Sequence, residues 1–354
     1  MFIYNTWYIA AWDTELASGR PLARRLLDQP VVFYRTEAGD VFALADRCPH
    51  RAAPLSLGAV EADNLRCMYH GLAFDGQGQC VEVPGQATAP RTLKVRSYPV
   101  VERNHLIWIW MGDPARADPN LIYDSHWHDS DTHAWRGGYI HYEGNYQLIA
   151  DNLLDFSHLA FVHHNSIGTR SQADTRATVS MTNEGAGIAF VTLGAPIPAF
   201  ARALSTLPDI VDRFQYYSWR IKGCYFVQDS AIVPPGDTFE STDPRAVKIH
   251  TINVATPETA HTSHFFWSIA HSDFNPGDPD ISSKLALQVG KAFEEDRAMI
   301  AAQSRTILED PDAPLMAIKA DNALVQVRRL TEQLIEEDRL LTSQLQSAFE
   351  PALA

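Results

Sequence analysis

Cysteine is scarce. Cys48, Cys67, Cys80 and Cys224 are the four in 354 residues, too few for a disulfide framework, which leaves metal binding or chemistry as their use. Basic residues are outnumbered, 29 Lys and Arg against 43 Asp and Glu, for a net charge of −14. A protein that tracks phosphates leans the other way, so no nucleic-acid partner is expected. No apolar run approaches the ~18 residues of a membrane helix, so no membrane association is expected. The apolar stretch Met1–Trp12 has no basic region before it and no small-residue cleavage site; it reads as a first strand rather than a leader, and a cytoplasmic protein is expected. A dinucleotide fingerprint is also missing. Neither Gly76-Gln77-Gly78 nor Gly185-Ala186-Gly187 completes one, so the chain is not expected to oxidise a nicotinamide cofactor by itself.

What is present has ordinary globular composition, 45% hydrophobic and 20% charged, which argues against disorder, and the length fits about two domains. Strand-like runs occupy the first part: Pro30–Tyr34, Val41–Ala45, Leu65–Tyr69, Cys80–Val83 and His105–Met111. Turn signals separate them at Ala38-Gly39-Asp40 and Asp75-Gly76-Gln77-Gly78. The Pro-rich passage Gly112–Asn120 closes an all-β module over 1–115. Over 116–354, helical stretches near Tyr146–His163, Ser283–Leu308 and Asn322–Gln346 mix with strand-like runs, so the second domain is α+β. In the last helix Leu330, Leu334, Leu341 and Leu345 recur at helical spacing beside the polar cluster Glu336–Arg339, the pattern of an amphipathic helix packed on a core.

Two short motifs pair cysteine with histidine: Cys48-Pro49-His50-Arg51 and Cys67-Met68-Tyr69-His70-Gly71. Two adjacent loops presenting two thiolates and two imidazoles suit either a structural zinc or a Rieske [2Fe–2S] cluster. Zinc fingers usually keep cysteines in one pair and histidines in the other. One of each per loop favours the Rieske cluster, in which two cysteines hold one iron and two histidines the other. Cys80 and Cys224 have no partner motif and are expected to be plain buried thiols.

A second constellation runs from Asn152-Leu153-Leu154-Asp155-Phe156-Ser157-His158 into His163-His164. In an unbroken helix His163 lies about 140° round from His158, five positions at ~100° each. A helix end or π-bulge is therefore needed if both imidazoles are to meet one metal. Two histidines and one carboxylate leave positions open on an iron, the facial arrangement of non-haem Fe(II) oxygenases. The run Phe293-Glu294-Glu295-Asp296-Arg297 offers three neighbouring acids.

Cys48-Pro49-His50-Arg51, Leu55-Ser56-Leu57-Gly58 and Cys67-Met68-Tyr69-His70-Gly71 resemble the fingerprint of the Rieske non-haem iron oxygenases. With Asn5-Thr6-Trp7-Tyr8 and the chain length, the sequence resembles, essentially end to end, the oxygenase components of the vanillate O-demethylase group, which includes dicamba O-demethylase and toluenesulfonate methyl-monooxygenase. The resemblance implies an α+β chain, with an N-terminal all-β Rieske domain and a C-terminal helix-grip-like catalytic domain. It implies a [2Fe–2S] cluster on Cys48, His50, Cys67 and His70, and a mononuclear Fe(2+) on His158, His163 and Asp296. Glu295 is the alternative carboxylate, and His164 an unliganded neighbour. Asp155 resembles an aspartate that links His158 to the partner subunit's His70, and Asn152 an asparagine near the mononuclear iron.

The resemblance further implies an O2-dependent monooxygenase that works as a homotrimer, with the pairing of trimers left open. Electrons are expected from a separate NADH-dependent reductase carrying flavin and [2Fe–2S]. The small aromatic substrate is expected to be an aromatic acid hydroxylated at a methoxy or methyl carbon, a methoxy group giving a phenol and formaldehyde. Ring cis-dihydroxylation, and electron transfer without oxygen chemistry, are the alternative readings. The pocket is expected within Ser166–His271, with Tyr216, Tyr217, Phe226, Phe265, Phe266 and Trp267 as candidate walls. Arg170, Arg176 and Arg220 are candidate partners for an anion.

Overall fold

The computed structural model describes residues 2–163, 177–198, 201–202, 205–272 and 278–349. Two compact units emerge: Phe2–Asp124 with Thr256–Ala260, and Ser125–Ala255 with His261 onward.

The first unit is all-β. Its strands are β1 (Thr6–Trp12), β2 (Leu22–Leu26), β3 (Gln29–Arg35), β4 (Val41–Ala45), β5 (Ala59–Glu61), β6 (Asn64–Arg66), β7 (Ala73–Phe74), β8 (Cys80–Glu82), β9 (Ser97–Tyr98), β10 (Val100–Arg103) and β11 (Leu106–Met111). They form antiparallel sheets in the orders β1-β11-β10, β2-β3-β4-β9 and β5-β6-β7-β8. Every residue of β1 and of β11 is buried, which explains why both read as near-continuous apolar runs rather than as alternating ones. The tight turn after β7 is fixed by Asp75, whose Oδ1 accepts the amides of Gln77 and Gln79 at 3.0 and 2.8 Å. Gly78 in that turn has φ +77°, and a Cβ there would fall 2.0 Å from the Val95 carbonyl oxygen, so glycine is required. The strand expected over Leu65–Tyr69 stops at Arg66, because the backbone turns on itself at Cys67.

The second unit contains β12 (His133–Tyr142), α1 (Tyr146–Leu154), α2 (Leu159–Val162), β13 (Thr178–Thr182), β14 (Gly185–Pro196), β15 (Ile210–Arg220), β16 (Tyr225–Val233), β17 (Val247–Pro257), β18 (Ser263–Ser272), α3 (Ile281–Glu309) and α4 (Asn322–Phe349). Its strands make one sheet in the order β12-β18-β17-β16-β15-β14-β13. The long helix α3 lies against β12 and β18, and α1 packs on α3 and α4. On α4, Ala323, Val327 and Thr331 form the buried stripe, and Arg328 Nε donates to both oxygens of Asp151 on α1 at 3.0 and 2.9 Å. The result is an all-β unit followed by a mixed unit with helices on a large sheet. No helix among the described residues is long and apolar enough to cross a membrane.

The helical stretch over Tyr146–His163 is interrupted where the histidine spacing demands it. Helix α1 ends at Leu154, and Asp155 is extended, with φ −98° and ψ 111°. The Asp155 carboxylate accepts the Ser157 amide at 2.7 Å, a local turn that competes with helix propagation. The chain turns helical again at α2, with His158 just before it and His163 just after it.

Candidate metal centres

The two Cys/His loops are built alike. In the first, Cys48 N donates to Ala53 O at 2.8 Å and Ala52 N to Cys48 O at 2.9 Å. In the second, Cys67 N donates to Leu72 O at 2.8 Å and Gly71 N to Cys67 O at 2.9 Å. The fourth residue after each cysteine, Ala52 or Gly71, has positive φ, +59° and +76°. Both cysteines are buried in one apolar cluster with Leu55, Leu65, Leu72 and Cys80, while His50 and His70 are exposed, their ring centroids 4.5 Å apart. All four cysteines of the chain are free thiols, and Cys80 and Cys224 are buried as expected. Burial pushes the Cys48 thiol above its ordinary value, and the adjacent Cys67 sulfur adds to this, while backbone N–H groups of His50 and Arg51 act the other way. Backbone amides aimed at a buried sulfur favour its anion, the form that binds iron. The His70 imidazole, though exposed, is held below its usual value by partial desolvation from its neighbours and by the nearby His50 and Arg51.

In the second unit, ligand-type atoms of His158, His163 and Asp296 lie within 4.8 Å of one another. His163 Nε2 stands 3.2 Å and His158 Nε2 3.6 Å from Asp296 Oδ1. His163 and Asp296 are buried, 1% and 4% exposed. Asn152 Nδ2 donates to Asp296 Oδ1 at 3.0 Å. The His163 Nδ1–H donates to Glu295 Oε2 at 2.9 Å, so Glu295 sits behind His163 while Asp296 faces the centre. Asp155 Oδ2 lies 3.9 Å from His158 Nδ1, a buried nitrogen without a hydrogen-bond partner among the described residues. Burial lowers the His158 pKa despite Asp296 and Asp155; for His163 burial is outweighed by Asp296 and Glu295, and its pKa is raised. Two imidazoles and one carboxylate whose ligand-type atoms converge within 4.8 Å suit a divalent iron with positions left open. The residues therefore fit the metal. His164 lies outside the described residues.

A cavity of about 250 Å³ opens on this centre. Helix-side walls come from Asn152, Phe156, His158, Leu285, Val289 and Asp296, and the opposite wall is the sheet. Phe190 on β14, Tyr217 on β15 and Phe226 on β16 form an aromatic group with Phe156, whose ring lies 4.8 Å from Phe190 and 4.7 Å from Tyr217. Of the aromatics named from sequence, Tyr217 and Phe226 line the cavity; Tyr216 points away and is exposed, and Phe265, Phe266 and Trp267 are core residues outside its walls. Arg220 also lies elsewhere, paired with Glu184 at the surface. Arg170 and Arg176 lie outside the described residues. The cation that does line the cavity is Arg213, which the sequence reading did not single out.

Residues 6–99 match the family model of the Rieske [2Fe–2S] domain, and residues 142–337 that of the vanillate O-demethylase oxygenase C-terminal domain. The chain is 42% identical to an iron–sulfur subunit of the toluene-4-sulfonate monooxygenase system of Comamonas testosteroni, over 96% of this chain and 98% of that one. It is 36% identical to the oxygenase component of dicamba O-demethylase from Stenotrophomonas maltophilia, over 94% and 98%. The crystal structure of dicamba monooxygenase with non-haem iron and dicamba superimposes with a TM-score of 0.81 at 34% identity, covering 97% of this chain and 99% of that one. With a Rieske module and a catalytic module of this kind on one chain, and relatives aligned over nearly their whole length, the protein belongs to the Rieske oxygenase family of the vanillate O-demethylase type, the oxygenase components of monooxygenase systems.

Proposed function

We propose that this oxygenase component hydroxylates a methoxy or methyl carbon on a small aromatic acid, and that a methoxy substrate leaves as a phenol and formaldehyde. The observation that carries this reading is the placement of His158, His163 and Asp296 in the wall of a cavity that also holds an aromatic group. Its volume, about 250 Å³, falls just under the ~300–1,000 Å³ of sites for drug-sized ligands, which suits a single ring. Cys48, His50, Cys67 and His70 are the proposed holders of the [2Fe–2S] cluster, and His158, His163 and Asp296 those of Fe(2+). When bound, the iron supplies dioxygen binding and activation and the cluster supplies electrons singly.

The chain's own residues set the stage for that chemistry. Asn152 pins the Asp296 carboxylate through its amide. Glu295 accepts from His163 Nδ1 and leaves Nε2 turned to the centre, the usual way an outer carboxylate fixes a ligand imidazole. Phe156, Phe190, Tyr217 and Phe226 offer faces and edges to a substrate ring and keep water from it. The balance for a methoxy substrate is one O2, two electrons and two protons in, with phenol, formaldehyde and water out.

The relatives are components of multi-component systems, which supports a separate reductase as the electron source; we take it to be NADH-dependent and to carry flavin and [2Fe–2S]. The exposed apolar side chains Leu57, Met68 and Tyr69 in and beside the loops of His50 and His70 support contact of this face with protein partners. In the proposed homotrimer the link runs from His158 through Asp155 to the partner subunit's His70. The assembly is placed in the cytoplasm, with domains at about 1–115 and 116–354.

The test is reconstitution with such a reductase, NADH, O2 and 4-methoxybenzoate or vanillate. Formaldehyde and the demethylated phenol are the expected products. NADH consumption with neither product contradicts the reading, and both atoms of labelled O2 in a ring diol would show a dioxygenase instead.

A further inference from the structure

The cavity wall contains a cation that the metal centre does not use. Arg213, Gln215 and Tyr217 alternate along β15 and all face the cavity. Arg213 Nη2 approaches Gln215 Oε1 at 3.4 Å, and Gln215 Nε2 donates to the Tyr217 hydroxyl at 2.8 Å. The guanidinium Nε is buried and has no hydrogen-bond partner among the described residues. No carboxylate among the described residues pairs with it. The adjacent acid, Asp212, is committed on the other face of the strand, its two oxygens accepting the amides of Gly194 at 2.6 Å and Gly236 at 2.7 Å. Burial without a counter-ion draws the Arg213 pKa down from its ordinary value.

A guanidinium whose buried Nε–H has no partner among the protein's described residues is best matched by an anion that accepts from it. The fork geometry of Nε–H and a terminal N–H matches two oxygens of one oxyanion. The neighbouring Tyr217 hydroxyl already accepts from Gln215, so its own hydrogen is available to donate, and burial keeps this phenol protonated. Tyr217 also packs its ring on Phe156, two residues before His158. Arg213 lies four positions along the strand from it, ~13 Å between their backbones at ~3.3 Å per residue, but Gln215 between them contacts both side chains and draws their polar ends toward one another. One row of side chains thus connects a cation to the aromatic group beside the metal centre.

We propose that Arg213 is the specificity-determining residue of this site: it binds the carboxylate or sulfonate of a single-ring substrate through paired N–H···O hydrogen bonds, with the Tyr217 hydroxyl as a further donor. This rests on the cavity being the substrate site. Neutral rings of the same shape then leave Arg213 buried and unpaired, and are rejected for that reason.

The test is calorimetric titration of the anaerobic holoprotein with 4-methoxybenzoate, 4-methoxybenzenesulfonate and the neutral 4-methoxybenzamide. The intact protein is expected to bind at least one of the two anions about tenfold or more tightly than the amide; which one separates carboxylate from sulfonate recognition. Arg213→Met is expected to weaken that anion about 30-fold or more, equal to about 2 kcal/mol at ~1.4 kcal/mol per tenfold, and to leave the amide within about threefold. Arg213→Lys should recover part of the loss, with thermal melting confirming that both variants are folded. Equal weakening of anion and amide, an unaffected anion, or no preference for either anion in the intact protein overturns the proposal. The two readings fail separately: Arg213-dependent anion binding without oxygenated product defeats the proposed reaction alone, whereas product formation indifferent to charge and to Arg213 defeats this assignment alone.

Discussion

The two metal-binding regions solve one problem in opposite ways. Around Cys48 and Cys67 the proposed ligand residues are close in sequence, and two loops with the same pair of backbone hydrogen bonds hold them. Around His158 the proposed ligand residues come from a helix break and from a helix more than a hundred residues later, tied by Asn152 and Glu295. The first region buries its sulfurs and exposes its imidazoles; the second buries His163 and Asp296 beside a cavity. A site built from local loops can pass electrons at the surface. A site built from packed helices can shelter a substrate.

The largest expected effect comes from breaking the local region. Cys67→Ser should abolish the visible absorption and the reduced-state EPR signal of the cluster and with them reductase-coupled turnover, while the cavity residues still bind one iron. A Cys67→Ser protein that keeps a Rieske EPR signal contradicts the assignment. In the helical region Glu295→Gln should lower iron affinity or turnover about 10–100-fold, the usual cost of losing an outer carboxylate partner, and leave the cluster spectrum unchanged. Competition with a chelator measures this, and wild-type affinity in the variant would show that Glu295 does not orient His163.

The smallest effects test the likeness of the two loops. Gly71→Ala places a Cβ 2.8 Å from Pro84 Cγ at φ +76° and should cost about 1–3 kcal/mol. Ala52→Gly, at φ +59°, removes left-handed strain and adds unfolded-state freedom, which nearly cancel to within about 1 kcal/mol. Melting temperature and cluster occupancy read both. Equal destabilisation by the two changes would mean that the loops are not equivalent.

The legibility of the two regions in the sequence follows the same division. The Rieske domain was legible because the members of each Cys/His pair sit within three residues of each other. Strand β4 could be placed because Gly39 and Asp40 mark its start, and α3 because its pattern is long and periodic. The break between α1 and α2 was legible only as a requirement of the spacing from His158 to His163. Its cause, the Asp155 side chain accepting the Ser157 amide, is a choice between helix and turn that tertiary packing decides. The extension of a strand through Tyr69 failed because the hydrogen bonds at Cys67 close a loop there. Arg213 escaped notice because polar residues alternating on a strand ordinarily face water. A cavity reverses that rule, and nothing local announces the reversal.

The most direct measurement of the central claim is the iron content and EPR spectrum of anaerobically purified protein beside its Asp296→Ala variant. The predicted result is about three irons per chain falling to about two, with the Rieske signal unchanged and turnover reduced more than ~100-fold. A variant that keeps its third iron and its turnover would contradict the assignment of His158, His163 and Asp296 as the mononuclear iron site.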